Sequence, residues 1–82
     1  MADIVLYGAE YCPACFMAKD YLNRRDILFV YKDISSDDKA VDEFLQVTNT
    51  KTIPLLLIKE DGKEINKVVG FKRSDYELIF NK

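Results

Sequence analysis

Eighty-two residues make one small domain, which buries roughly 60–65% of the surface its unfolded chain exposes, so a single domain over 1–82 with one modest core is expected. Twelve Lys and Arg against fourteen Asp and Glu give a net charge of −2 with neither sign in a long block, which argues against nucleic acid as a partner. Met1-Ala2-Asp3-Ile4 lacks the basic start and apolar run of a secretory signal, and no segment reaches membrane-spanning length, so a cytoplasmic protein with no membrane partner is expected.

The first element is a strand, because Asp3-Ile4-Val5-Leu6-Tyr7-Gly8 is apolar and β-favouring. Cys12-Pro13-Ala14-Cys15 follows, and helical spacing runs from Phe16 to Arg25, which places the cysteine pair at a strand-to-helix junction. A first helical turn presents unpaired N–H groups and the positive end of the peptide dipoles, and both favour a thiolate. Cys12 is therefore expected to be the more acidic thiol and the nucleophile. Pro13 suits the first helical position, and Cys15, one turn further in and partly shielded, becomes the resolving thiol.

Ile27-Leu28-Phe29-Val30-Tyr31 reads as a second strand, parallel to the first through a right-handed crossover, with both strands near the sheet centre. Ser35-Ser36-Asp37-Asp38 offers hydroxyl caps and first-turn acids to a second helix whose apolar face holds Val41, Phe44, Leu45 and Thr48. Asn49-Thr50-Lys51-Thr52 breaks that pattern, and Ile53-Pro54 leads into a third strand, Leu55-Leu56-Leu57-Ile58. Asp61-Gly62 predicts a hairpin. The returning stretch from Glu64 to Val69 alternates imperfectly and ends at Gly70. Ser74-Asp75-Tyr76-Glu77 matches a capping box, with Tyr76, Ile79 and Phe80 on one side of the helix it starts. Phe16, Leu22, Phe29, Phe44 and Phe80 are assigned to the core.

The cysteine pair has blander readings. As a structural bridge it would close so short a loop that it removes only about 2 kcal/mol of unfolded-chain freedom, against nearly 5 for a loop of a hundred residues, so stability is a poor reason for it. With two Cys and no His in the chain, a zinc site would need ligands from carboxylates or from another chain, so no metal is assigned. Pro54 by itself reads as an ordinary strand-start proline, and local sequence favours a trans bond.

The order β-α-β-α-β-β-α suits an α/β fold with a four-stranded mixed sheet covered by helices. With Cys12-Pro13-Ala14-Cys15 after the first strand, Thr52-Ile53-Pro54 before the third and Gly70-Phe71 after the fourth, the chain resembles the glutaredoxin group of the thioredoxin fold, including the NrdH-redoxins that reduce ribonucleotide reductase. The resemblance spans almost the whole chain. It implies thiol–disulfide exchange with no bound cofactor, a cis Ile53–Pro54 bond facing the nucleophile, and a groove for an extended substrate formed by Tyr11, Thr52, Ile53, Pro54, Gly70, Phe71 and Lys72. For Tyr11, cover of the core edge stands as an equal alternative.

The resemblance also implies a monomer, disulfide-containing proteins such as ribonucleotide reductase as substrates, and glutathione or thioredoxin reductase as donor. Glutathione-using members commonly carry a basic residue three before the nucleophile, an aromatic between the cysteines, a polar residue after the proline, and Gly-Gly followed by an acidic or hydroxyl side chain. Here those places hold Ala9, Ala14, Leu55 and Val69-Gly70-Phe71-Lys72. Lys72 would attract the carboxylates of glutathione yet repel its α-ammonium. The reading from another class is a module that bridges an iron–sulfur cluster between two chains through Cys12 and added thiols; visible charge-transfer absorption in protein purified without oxygen would reveal it.

Overall fold

Side-chain alternation along the first strand sets the layers of the molecule. In the computed structural model, which describes residues 2–48 and 50–80, β1 (Ala2–Gly8) turns Ile4 and Leu6 to one face of the sheet and Val5 and Tyr7 to the other. Met1, Asn49, Asn81 and Lys82 lie outside the described residues, so the start of the break expected at Asn49 falls there.

The elements that follow are α1 (Pro13–Arg24), β2 (Val30–Asp33), α2 (Asp38–Val47), β3 (Leu55–Glu60), β4 (Lys63–Val69) and α3 (Arg73–Phe80). The strand order is β2-β1-β3-β4, with β1 parallel to β2 and antiparallel to β3, and β3 antiparallel to β4. This is the thioredoxin-like fold, a four-stranded mixed sheet with three helices. One face carries the larger core, where Leu6, Leu56 and Ile58 meet Ala18, Tyr21 and Leu22 of α1 and Tyr76 of α3. On the opposite face Tyr7, Leu55 and Leu57 pack on Phe44 of α2. Leu55, Leu56, Leu57 and Ile58 are all buried, as an unbroken apolar run in a central strand requires.

Several expectations are corrected. β2 is an edge strand, and β3 takes the central place beside β1. β2 also begins later than Ile27, because Asp26 and Ile27 are used to finish α1. Asp26 adopts a left-handed φ of 56°, its N–H donates to the Asn23 carbonyl at 3.1 Å, and the Ile27 N–H donates back to Leu22 at 3.0 Å. That is a Schellman ending, here without glycine.

Phe16 is 71% exposed rather than buried. The face of α1 turned to the sheet carries Cys15, Ala18 and Leu22, and Phe16, rotated by about 100° from Cys15, falls on the flank beside Lys19. Leu45 is likewise on the rim of α2, whose buried residues are Ala40 and Phe44, with Thr48 buried at the cap that follows. Leu22 and Phe44 are buried as expected, while Phe29 and Phe80 are partly buried against the α1/α3 core.

The cap of α2 is the Asp37 carboxylate, which accepts from the Lys39 N–H at 3.0 Å, rather than a serine hydroxyl. Helix α3 starts one residue before Ser74, and the Lys72 carbonyl accepts from Asp75 and Tyr76. The hairpin turns at Asp61 and Gly62, whose φ values of 52° and 80° are both left-handed, as a two-residue type I′ turn demands. The imperfect alternation of β4 corresponds to a register shift: Ile58 pairs with Asn66 but Lys59 pairs with Glu64, leaving Ile65 as a bulge.

Candidate active site

Three chain segments reach the same end of the sheet because one row of pairings aligns them. Tyr7 of β1 pairs with Leu55, the first residue of β3, and Leu55 pairs with Val69, the last residue of β4. Just past that row lie the loop from Ala9 to Cys12, the Ile53–Pro54 bond and the Gly70 corner. The Gly70 N–H donates to the Pro54 carbonyl at 2.8 Å and ties the last two together. The Ile53–Pro54 bond is cis. Gly70 turns the chain out of β4 with a φ of 78°, a region that side-chain-bearing residues adopt at a cost.

Cys12 is the N-cap of α1, with extended backbone angles and Pro13 as the first helical residue. Its N–H donates to the Ala9 carbonyl at 3.2 Å, and its carbonyl accepts from Phe16 at 3.3 Å. Its Sγ accepts the Cys15 N–H at 3.1 Å, the place a hydroxyl or carboxylate oxygen takes in an ordinary N-cap. Sulfur in that position is held against a backbone donor at the amino end of the helix. Cys12 is partly exposed, whereas Cys15 is 1% exposed, and both thiols are free. Burial first, and then the hydrogen bond with Cys12, pushes the Cys15 thiol up to about 12. The pair is asymmetric: one residue partly exposed with its sulfur accepting a backbone hydrogen bond, the other enclosed.

Three large apolar side chains near Cys12 in sequence are exposed. Tyr11 is 74% exposed and Met17 57%, and with Phe16 they lie on the loop and first turns of α1. Tyr11 therefore stands clear of the core edge. Ile53 packs on the α2-side core, Pro54 is buried, and Thr52 and Lys72 are exposed. The ring of Phe71 faces inward, edge-on to Tyr76 at 4.8 Å and to Tyr21 at 6.0 Å between centroids, while still lining a cleft with Met17, Arg24 and Arg73. Ala9 and Leu55 are both buried, so neither side chain is presented at the surface.

With that geometry in place, the family profile described as Glutaredoxin matches residues 4–64. The chain belongs to the glutaredoxin family. Members of that family and of the thioredoxin fold are generally thiol–disulfide oxidoreductases, and the cysteine pair described above sits within the matched region. A glutaredoxin-like 8.6 kDa protein of the rubredoxin operon of Clostridium pasteurianum, itself uncharacterised, is 29% identical over 79 residues, covering 96% of this chain and 99% of that one. Among solved structures, the thioredoxin-like protein BC3987, in a mutant form, superposes with a TM-score of 0.79 at 23% identity, over 99% of this chain and 97% of its own. The glutaredoxin of Archaeoglobus fulgidus gives a TM-score of 0.79 at 20% identity, over 100% of this chain and 89% of its own. At these identities the structural likeness speaks for the fold.

Sequence reasoning missed two residues at this site. Gly8 is required by space: a Cβ built there would lie 2.7 Å from the Tyr31 hydroxyl oxygen and 3.0 Å from both Cβ and Sγ of Cys15. The small pair Gly8-Ala9 just before the cysteines was the available signal. Tyr31 gave none, because it reaches the site through the parallel pairing of β1 with β2.

Proposed function

We propose that this protein is a dithiol redoxin that reduces protein disulfides, or mixed disulfides with low-molecular-weight thiols, by exchange at Cys12. The observation that carries the reading is the asymmetry of the pair, a partly exposed Cys12 whose Sγ lies 3.1 Å from the Cys15 N and a Cys15 sealed one turn behind it. The Cys12 thiolate attacks one sulfur of the target disulfide and the other leaves as a thiolate that takes a proton from water. The mixed disulfide lies across the groove by Ile53, Pro54 and Gly70. Cys15 then loses its proton and attacks Cys12, which forms the Cys12–Cys15 disulfide and frees the second target thiol. A separate donor, glutathione or thioredoxin reductase, resets the pair.

The exposed side chains of Tyr11, Phe16 and Met17 support an extended protein segment as substrate, since they offer apolar contact area. A small zwitterion such as glutathione needs charged contacts, and Ala9 and Leu55 are buried where other members are expected to supply polar ones. Poor use of glutathione follows, with a disulfide-bearing protein of the ribonucleotide reductase kind as the better substrate and thioredoxin reductase as the better donor. The setting proposed is a monomer in the cytoplasm, where a reducing pool sustains the cycle. Among the described residues, no helix is long and apolar enough to cross a membrane.

The test is steady-state reduction of a disulfide-bonded protein and of a glutathionylated peptide, with thioredoxin reductase or with glutathione plus its reductase. Faster protein reduction with thioredoxin reductase is expected. Efficient, saturable turnover of the peptide with glutathione alone would overturn the donor assignment, and no exchange with either donor would overturn the function.

A further inference from the structure

Cys15 must lose a proton before it can resolve the mixed disulfide, yet its surroundings hold that proton tightly. Facing it from β2 is the hydroxyl of Tyr31, which approaches the same point over Gly8 as the Cys15 sulfur, at 2.7 Å and 3.0 Å from a Cβ built there. The convergence follows from register, with Leu6 opposite Tyr31 and Gly8 opposite Asp33. Tyr31 also lines a cleft of about 240 Å³ with Ala9, Glu10, Phe16, Lys19 and Asp33. Lys19 Nζ stands 4.2 Å from the Tyr31 ring centroid and holds the ring from the α1 side.

We propose that Tyr31 is a positioning residue for resolution, its hydroxyl donating a hydrogen bond to the Cys15 sulfur as that thiol ionises. The inference rests on the reading of Cys15 as the resolving thiol. In the reduced protein no hydrogen bond joins Tyr31 to Cys15; the contact forms as the Cys15 side chain moves toward the hydroxyl during resolution. The groups that face the phenol are Cys15 and Cys12, Asp33 on its own strand, Glu10 in the loop after β1, and Lys19. Burial, and after it the negative charge of Cys15, Asp33, Cys12 and Glu10, pushes the Tyr31 hydroxyl up to about 12, so at neutral pH it is a donor and keeps its proton throughout. In balance, the Cys15 S–H bond breaks and its proton passes to water, the Cys15–Cys12 bond forms, the Cys12–target bond breaks, and the target leaves as a thiolate that is protonated by solvent.

Tyr31→Phe tests this while retaining the ring, its packing and the Lys19 contact. In a Cys12→Ser background, the pH profile of Cys15 alkylation isolates the buried thiol. Loss of the hydroxyl is expected to slow alkylation near pH 8 by roughly tenfold, the worth of one hydrogen bond to a charged group. With both cysteines present, release of target thiol from a preformed mixed disulfide at Cys12 should slow by a similar factor, while the first exchange keeps its rate. Gly8→Ala, which crowds the hydroxyl away from Cys15, should act in the same direction. Coincident alkylation profiles with normal release would overturn the role of Tyr31 alone. Wild-type protein that captures a target at Cys12 but never releases it would overturn the resolving role of Cys15 as well.

Discussion

Replacing Gly8 with Ala should destabilise the protein, although a glycine at a negative φ in a strand is ordinarily a place where alanine helps. No left-handed φ is imposed at Gly8, so the backbone accepts alanine, and the smaller conformational freedom of the unfolded chain should contribute about 0.4–1 kcal/mol in its favour. Space decides against it. The new Cβ would stand 2.7 Å from the Tyr31 oxygen and 3.0 Å from Cys15 Cβ and Sγ, and Cys15 Cβ is anchored in α1. Forcing such contacts in a packed region costs about 1–3 kcal/mol, leaving a net loss of roughly 1–2 kcal/mol. For a domain of this size that lowers Tm by roughly 5–15 °C. Thermal and urea unfolding of the reduced protein measure it. A second comparison tests the cause: in a Tyr31→Phe background the nearest clash disappears, so the cost of Gly8→Ala should shrink by at least about 0.5 kcal/mol. A neutral or stabilising Gly8→Ala, or an identical cost with and without the hydroxyl, would refute the account of how Cys15 is seated.

Cys15→Ser should accumulate mixed disulfides through Cys12 on a non-reducing gel after challenge with a disulfide-bonded protein, whereas Cys12→Ser should accumulate none; equal trapping by both would reverse the order of attack. The reduced protein should lose stability in alkali. Cys15 and Tyr31 both hold their protons more tightly folded than unfolded, so their contribution is complete below ~8.5, where an unfolded thiol begins to ionise, and is lost as pH climbs toward about 12. Urea midpoints at pH 7.5 and 10.5 read the loss, and Cys15→Ser should remove part of it; an unchanged pH dependence in that variant would show that Cys15 is not the group responsible.

What the residues determine alone is chemistry whose partners lie within a few positions. Cys12, Pro13 and Cys15 occupy one helical turn, so the cap, the first helical proline and the enclosed second thiol follow from their spacing, as does the turn at Asp61-Gly62 from its need for two left-handed residues. The long apolar run of β3 was equally plain, since only a strand covered on both faces tolerates Leu55 to Ile58 in succession. Where local preference opposed the outcome, at Pro54, the cis bond was legible only through the family resemblance.

Tertiary structure decided everything that depends on which distant strand or helix lies alongside. β2 and β3 read alike as apolar runs, and pairing alone put β3 at the centre and β2 at the edge. Phe16 looked like core because hydrophobicity does not state direction; the helix turned its face so that Cys15, Ala18 and Leu22 met the sheet, and Phe16 went to the rim of the active site. The meeting of Tyr31 and Cys15 over Gly8 comes from a parallel register between strands separated by a whole helix, and no local preference encodes it, because only packing the helix against the sheet brings those side chains to one point.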